Sequence, residues 1–276
     1  MDRLQFFPRI LNENSSSSSE DERERNQRVV KQRKHFFDEY TDTRFRNRFR
    51  MNKETVLILA ALLNPDLEPT SRRNKPISKL NQILICLSFY ATGSFQSVVG
   101  DVFDISQATV SRIVSKVTTH IASLAPQFIQ MPDNNAEKRH TAEKFHLISG
   151  FPLVIGALDC THVKMLSPGG NNAEVFRNRK DYFSINVQVI GDANLKIVDI
   201  VSRWPGSVHD TTIFNDSHIR ARFENNEFSP YHLLGDSGYP CRGYLLTPIL
   251  RPDPNNHPHN RYNRAQIATR NPVERL

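Results

Sequence analysis

Cysteine is scarce in this chain. Cys86, Cys160 and Cys241 are the only three in 276 residues, odd in number and widely separated. They form neither a disulfide framework nor a CxxC zinc pattern, which points to a reducing compartment, cytosol or nucleus. Long hydrophobic runs are missing as well. The longest, such as VLILAALL, are far too short to span a bilayer. The opening MDRLQFFPRI gives way to polar residues without the cationic and apolar blocks of a signal peptide. No internal repeat is visible, so solenoids and propellers are not expected.

What is present suits a soluble globular protein of one large or two modest domains, with 38% hydrophobic and 24% charged residues. A formal net charge of +7 and a pI near 9.4 favour a polyanionic partner. Residues 12–34 read NENSSSSSEDERERNQRVVKQRK, a serine tract followed by dense mixed charge. Such a segment buries too little apolar surface to offset its ordering entropy, so residues 1–34 are expected to form a disordered tail. Its serines beside Glu20, Asp21 and Glu22 read either as a solvated linker or as acceptors for an acid-directed kinase.

Residues 35–148 are expected to form a helical domain. Apolar residues at 56, 57, 59, 60 and 63 give a helix over Lys53–Leu63, closed by Pro65. Ser78–Tyr90 repeats the period through Leu80, Ile83, Leu84 and Leu87. The stretch SFQSVVGDVFDISQATVSRIVSKVTTHI then predicts a helix to Phe103, a tight DIS turn, and a second helix capped by Ser106. Val98, Val99, Val102 and Phe103 would pack on Ile105, Val110, Ile113 and Val114. Gln107, Thr109, Ser111 and Arg112 are left at the front of the second helix. This is the layout of a DNA-contacting helix-turn-helix, although any antiparallel helical pair with a short turn imitates it.

After Ser149 the pattern becomes that of an α/β domain, 149–276. FPLVIGALDCTHVKML, YFSINVQVI and LKIVDIVSRW read as strands, the last two separated by the turn GDAN. HDTTIFNDSHIRARFEN reads as one amphipathic helix, YHLLGDSGYP and YLLTPIL as short strands, and Tyr262–Leu276 as the start of a further helix. Three acids follow apolar runs. Asp159 ends VIGALD, Asp236 ends YHLLGD, and Asp210 follows the third strand; Glu274 lies on the last helix. Acids at buried strand ends stay ionised most easily around a shared cation. Carboxylates without a His/Cys cage suit Mg²⁺ or Mn²⁺. Two such ions about 3.5–4 Å apart serve both sides of a phosphodiester, so a basic α/β protein with this acid set is consistent with a nuclease or strand-transferase. Aspartates also cap strand ends and turns, which is the competing structural reading. On an extended strand Cys160 points away from the face of Asp159, so Cys160 is expected to pack and His162 to act at most as a neighbour of the site. LLGDSGYP imitates the serine-protease GDSGGP, but the helical first half and the three scattered cysteines exclude that class.

GALDCTHVKMLSPGG, FRNRKDYFSINVQVIGD, VSRWPGSVHDTTIF, LLGDSGYP, LLTPIL and RYNRAQIATRNPVER together resemble, in order, the catalytic domain of the PIF/Harbinger transposase superfamily. The resemblance implies an RNase H-like DDE domain that cleaves DNA with divalent metal, preceded by the helix-turn-helix domain. It carries Asp159, Asp236 and Glu274 over as the catalytic acids, with Asp210 as a fourth metal ligand. Arg177, Arg179 and Lys180 would meet DNA phosphates near the site. A separate Myb-like DNA-binding partner and a nuclear location are further implications. The rival expectation is a domesticated DNA-binding or scaffolding protein that has lost cleavage. The family pattern continues past Leu276 with a phenylalanine-glycine step and a long basic helix, so Glu274 is expected on a frayed terminal turn.

Overall fold

The computed structural model describes residues 35–63, 67–68, 76–253 and 255–276. The expected tail 1–34 and the closing Pro65 lie outside the described residues. Contacts divide the chain into two compact units, one ending at Thr118 and the other covering Thr119–Leu276.

The first unit is helical. Its elements are α1 (Phe36–Glu39), α2 (Asp42–Phe49), α3 (Lys53–Leu62), α4 (Lys79–Thr92), α5 (Gln96–Phe103) and the larger part of α6 (Gln107–Ser123). The starts follow side-chain caps: Asn52 Oδ1 accepts from Thr55 N at 2.7 Å and Ser78 Oγ from Asn81 N at 3.3 Å. Between α5 and α6 the turn is tight. Asp104 takes the left-handed conformation (φ 51°), and Ser106 Oγ accepts from Thr109 N at 3.3 Å. Gly100 makes the turn possible, because a Cβ there would lie 2.6 Å from the Ile105 carbonyl oxygen. Val99, Phe103, Val110, Ile113 and Val114 are buried as their spacing predicts. Val98 is a correction: it is 47% exposed, because burying neighbouring Val99 turns it outward on a 3.6-residue helix.

The second unit has three layers. After α7 (Ala125–Phe128) and α8 (Asn135–Ser149) come β1 (Val154–Lys164), β2 (Ser184–Gly191), β3 (Ile197–Pro205), α9 (Asp210–Asn215), α10 (His218–Glu224), β4 (His232–Leu234), β5 (Leu245–Leu246) and α11 (His257–Arg270). The sheet order is β3-β2-β1-β4-β5. β1 runs antiparallel to β2 and parallel to β4, β2 antiparallel to β3, and β4 parallel to β5, so β2 alone opposes the rest. This is the RNase H-like arrangement of an α/β domain. One face carries Ala157, Val187, Val189 and Leu234 against Phe145 of α8 and Val273. The other carries Leu158, Ile190, Val198 and Leu233 against Phe214 of α9 and Ile219 and Phe223 of α10. Because α8 packs on β1 and α11, it stands with the sheet rather than with the helices before it.

Two elements differ from their sequence reading. The amphipathic stretch after His209 is two helices, since Ser217 both donates to the Phe214 carbonyl (2.6 Å) and accepts from Arg220 N (3.3 Å), ending one helix and starting the next. The last helix starts earlier, at His257, with Asn256 Oδ1 accepting from His259 N at 3.1 Å and Pro258 in the first turn. It ends at Arg270, and Asn271–Arg275 continue as a 3₁₀ turn. Pro272 lacks the N–H that would continue the α-helical ladder. That turn is packed rather than frayed: Pro272 and Val273 are buried, and Leu276 lies over Gly191, where a Cβ would meet its Cδ1 at 2.2 Å.

Candidate active site

β1 is buried from Val154 to Leu158, half-buried at Asp159 and Cys160, and exposed beyond. Asp159 therefore sits where the central strand leaves the core. β4, parallel to it and adjacent, ends at Leu234, and Gly235 leads to half-buried Asp236. Asp236 Oδ1 accepts from Gly238 N at 2.9 Å, closing a turn that fixes the carboxylate at the strand end. Glu274 comes from the 3₁₀ turn, which packs on β1 and β2. Its side chain is 52% exposed, against 28% for Asp159.

The acids sense one another. Burial raises the Asp159 carboxyl above the usual carboxylate range, Arg270 and the Cys160 N–H pull it back, and the negative charges of Glu274 and Asp236 push it up again. Asp159 Oδ1 accepts from Cys160 N at 2.8 Å, and Arg270 Nη2 donates to Asp159 Oδ2 at 3.4 Å. Arg270 Nη1 also donates to Glu274 Oε1. The sequence reading missed Arg270. Its only local signal is the four-residue spacing to Glu274, which is commonplace on helices.

Asp210 lies on the other face of the sheet, at the start of α9. Asn186 Nδ2 donates to its Oδ1 at 2.8 Å, and Asn186 stands opposite His162 on β1. Its charge reaches Cys160 and Tyr239, whose Sγ and Oη are 3.3 Å apart. Burial pushes both of these groups well above their usual ranges. Thr211 Oγ1 donates to the Gly238 carbonyl at 3.0 Å, tying the start of α9 to the Asp236 turn. His162 Nδ1 faces Ser184 Oγ at 3.1 Å.

The basic residues are spread. Arg177 is engaged by Glu174 (2.7 Å) and Asp181 (3.1 Å), Arg179 pairs with the His209 ring beside Asp210, and Lys180 is exposed. On α6, Gln107, Ser111 and Arg112 are exposed, and half-buried Thr109 bonds Ser106 Oγ at 2.9 Å.

The donor chemistry of Asp159, Asp236 and Glu274 fits a hard divalent cation, being carboxylate oxygen throughout. Among the described residues, however, no three His, Cys, Asp or Glu side chains are gathered closely enough to hold a metal. The positive charge between Asp159 and Glu274 is the Arg270 guanidinium.

Residues 158–276 match the DDE superfamily endonuclease family. HARBI1 of Mus musculus, named as a candidate nuclease, is 35% identical over 238 residues, which cover 86% of this chain and 67% of that protein. The chain belongs to the Harbinger transposase-derived DDE family. HARBI1 of Homo sapiens is 32% identical over the same shares of each chain. Protein ALP1-like of Arabidopsis thaliana is a more distant member at 26%, covering 80% of this chain and 58% of that one. No solved structure matches the chain. Within the residues matched by the DDE superfamily endonuclease family lie all four acids and the basic turn at 177–180; the helix-turn-helix precedes them.

Proposed function

We propose that this chain is a divalent-metal-dependent endonuclease that hydrolyses DNA phosphodiester bonds through Asp159, Asp236 and Glu274. The observation that carries the reading is that Asp159 and Asp236 follow the buried parts of the parallel neighbours β1 and β4, while Glu274 comes from a turn packed on β1, and the charges of Asp236 and Glu274 both act on the Asp159 carboxyl. Asp159 and Asp236 would hold the cation, Mg²⁺ or Mn²⁺, and Glu274 would complete the set. Bound there, singly or as a pair, the cation supplies Lewis acidity at the phosphoryl group and the leaving oxygen. Glu274, the more exposed of the acids, orients the attacking water. Asp210 serves as an auxiliary acid near the Asp236 turn. Arg179 and Lys180, with Arg177 where its ion pairs yield, steady the DNA backbone, and Gln107, Thr109, Ser111 and Arg112 present a second DNA-contacting row. Such a role places the protein in the nucleus, where a Myb-like partner would supply further DNA contacts.

A second reading is favoured by Arg270, which already neutralises Asp159 and Glu274: a DNA-binding protein without cleavage. Nicking of supercoiled plasmid in Mg²⁺ or Mn²⁺, set against chelator, separates the two. Metal-dependent nicking is expected for the endonuclease. Salt-sensitive DNA binding without nicking at any metal concentration supports the binding protein and contradicts the endonuclease.

A further inference from the structure

Arg270 stands where the proposed site needs positive charge. One guanidinium nitrogen reaches Asp159 Oδ2 at 3.4 Å and another bonds Glu274 Oε1. The residue is only 9% exposed, and its Nε has no hydrogen-bond partner among the described residues. The carboxylates it joins come from different elements, the central strand and the terminal 3₁₀ turn, and Asp159 lies 111 residues from Arg270 along the chain. Their planar bridge is a form of recognition that a lysine point charge cannot reproduce. Without it, two carboxylates that repel each other would face one another across a partly buried gap.

We propose that Arg270 is a positioning residue, an internal counter-cation that holds Asp159 and Glu274 together in the metal-free protein and yields at least one of them when a divalent cation binds. This rests on the reading that these acids bind such a cation. An arginine and a metal ion cannot both sit against the same carboxylate oxygen, because each repels the other and the metal requires that oxygen directly. Metal affinity is therefore lowered by the strength of the Arg270 pairs, while the unliganded site is kept folded.

Calorimetric titration of Mn²⁺ into the metal-stripped full chain tests this, with thermal midpoints measured in chelator and in Mn²⁺. Arg270→Gln is expected to bind Mn²⁺ on the order of tenfold more tightly, having lost the competing charge. Its metal-free midpoint should fall, and Mn²⁺ should raise that midpoint by more than it raises the wild type's. Unchanged or weaker Mn²⁺ binding by Arg270→Gln would overturn the proposal. If that variant does not fold, Arg270→Lys keeps one charge without the fork and should show a smaller gain in affinity; no gain overturns the proposal equally. Asp159→Asn should lose Mn²⁺ binding. Binding at wild-type strength in Asp159→Asn would remove the metal-site reading itself, and this proposal with it, an outcome distinct from a failure confined to the Arg270 variants.

Discussion

Asp159 and Cys160 are sequence neighbours on opposite faces of β1, and strand alternation sorts the chemistry around them. Asp159 meets Arg270 and Glu274, whereas Cys160 meets Tyr239 and the charge of Asp210. That sorting was legible in the sequence, since alternation depends only on an extended backbone. Arg270 was not, because its pairing with Asp159 depends on a fold that joins residues far apart in the chain. Burial and the raised thiol make Cys160 a poor nucleophile, while Cys241 is exposed. Iodoacetamide followed by mass spectrometry should label Cys241 first, with Cys86 and Cys160 slower by at least about tenfold; Cys160 labelling first would contradict the placement. His232 offers a pH test away from the acids. Burial holds its imidazole below the usual range, against a smaller opposing contribution from a ring N–H donated to the Pro152 carbonyl. The unfolded chain takes up a proton below about pH 6.5 where the folded chain does not, so this contribution to stability is full above that pH and is lost as pH falls. The slope is at most about 1.4 kcal/mol per pH unit for one proton. Urea midpoints should decline from pH 7 to 5, and more shallowly in His232→Phe.

Among the elements, the long periodic ones were legible: β1, β2, β3, α3 and α4 lie where their apolar patterns put them, although Leu57 of the α3 pattern is exposed, and Ser106 acts as the expected cap. The errors lie where a local side-chain bond outweighs periodicity. Ser217 splits one amphipathic stretch into α9 and α10, and Pro272 converts the end of α11 to a 3₁₀ turn. Ser217→Ala removes both bonds and leaves the Phe214 carbonyl without that donor, so a loss of about 1 kcal/mol is expected in urea denaturation. Gly100→Ala forces a Cβ against the Ile105 carbonyl oxygen and should cost about 1–3 kcal/mol. An unchanged midpoint would mean that the α5–α6 turn is looser than described.

For the molecule as a whole, the RNase H-like sheet explains how residues as distant in sequence as 159, 236 and 274 come from neighbouring elements: β1 and β4 are parallel neighbours, and the turn after α11 packs on β1. Ordered motifs made this readable, while the strand order itself rests on long-range pairing that no local pattern carries. Net charge belongs to this scale too. DNA binding should weaken steeply with salt, and Arg112→Ala should lower the log–log salt slope by about 1 if that side chain meets a phosphate. An unchanged slope would leave α6 as a structural helix. The central claim, that the three acids act as one metal-dependent centre, is tested most directly by plasmid-nicking rates in Mn²⁺ for wild type, Asp159→Ala, Asp236→Ala and the double variant. The account predicts metal-dependent nicking that each single substitution reduces by at least about 10³, with no further loss in the double variant, because the acids act as a unit. Nicking that survives Asp159→Ala or Asp236→Ala would contradict it.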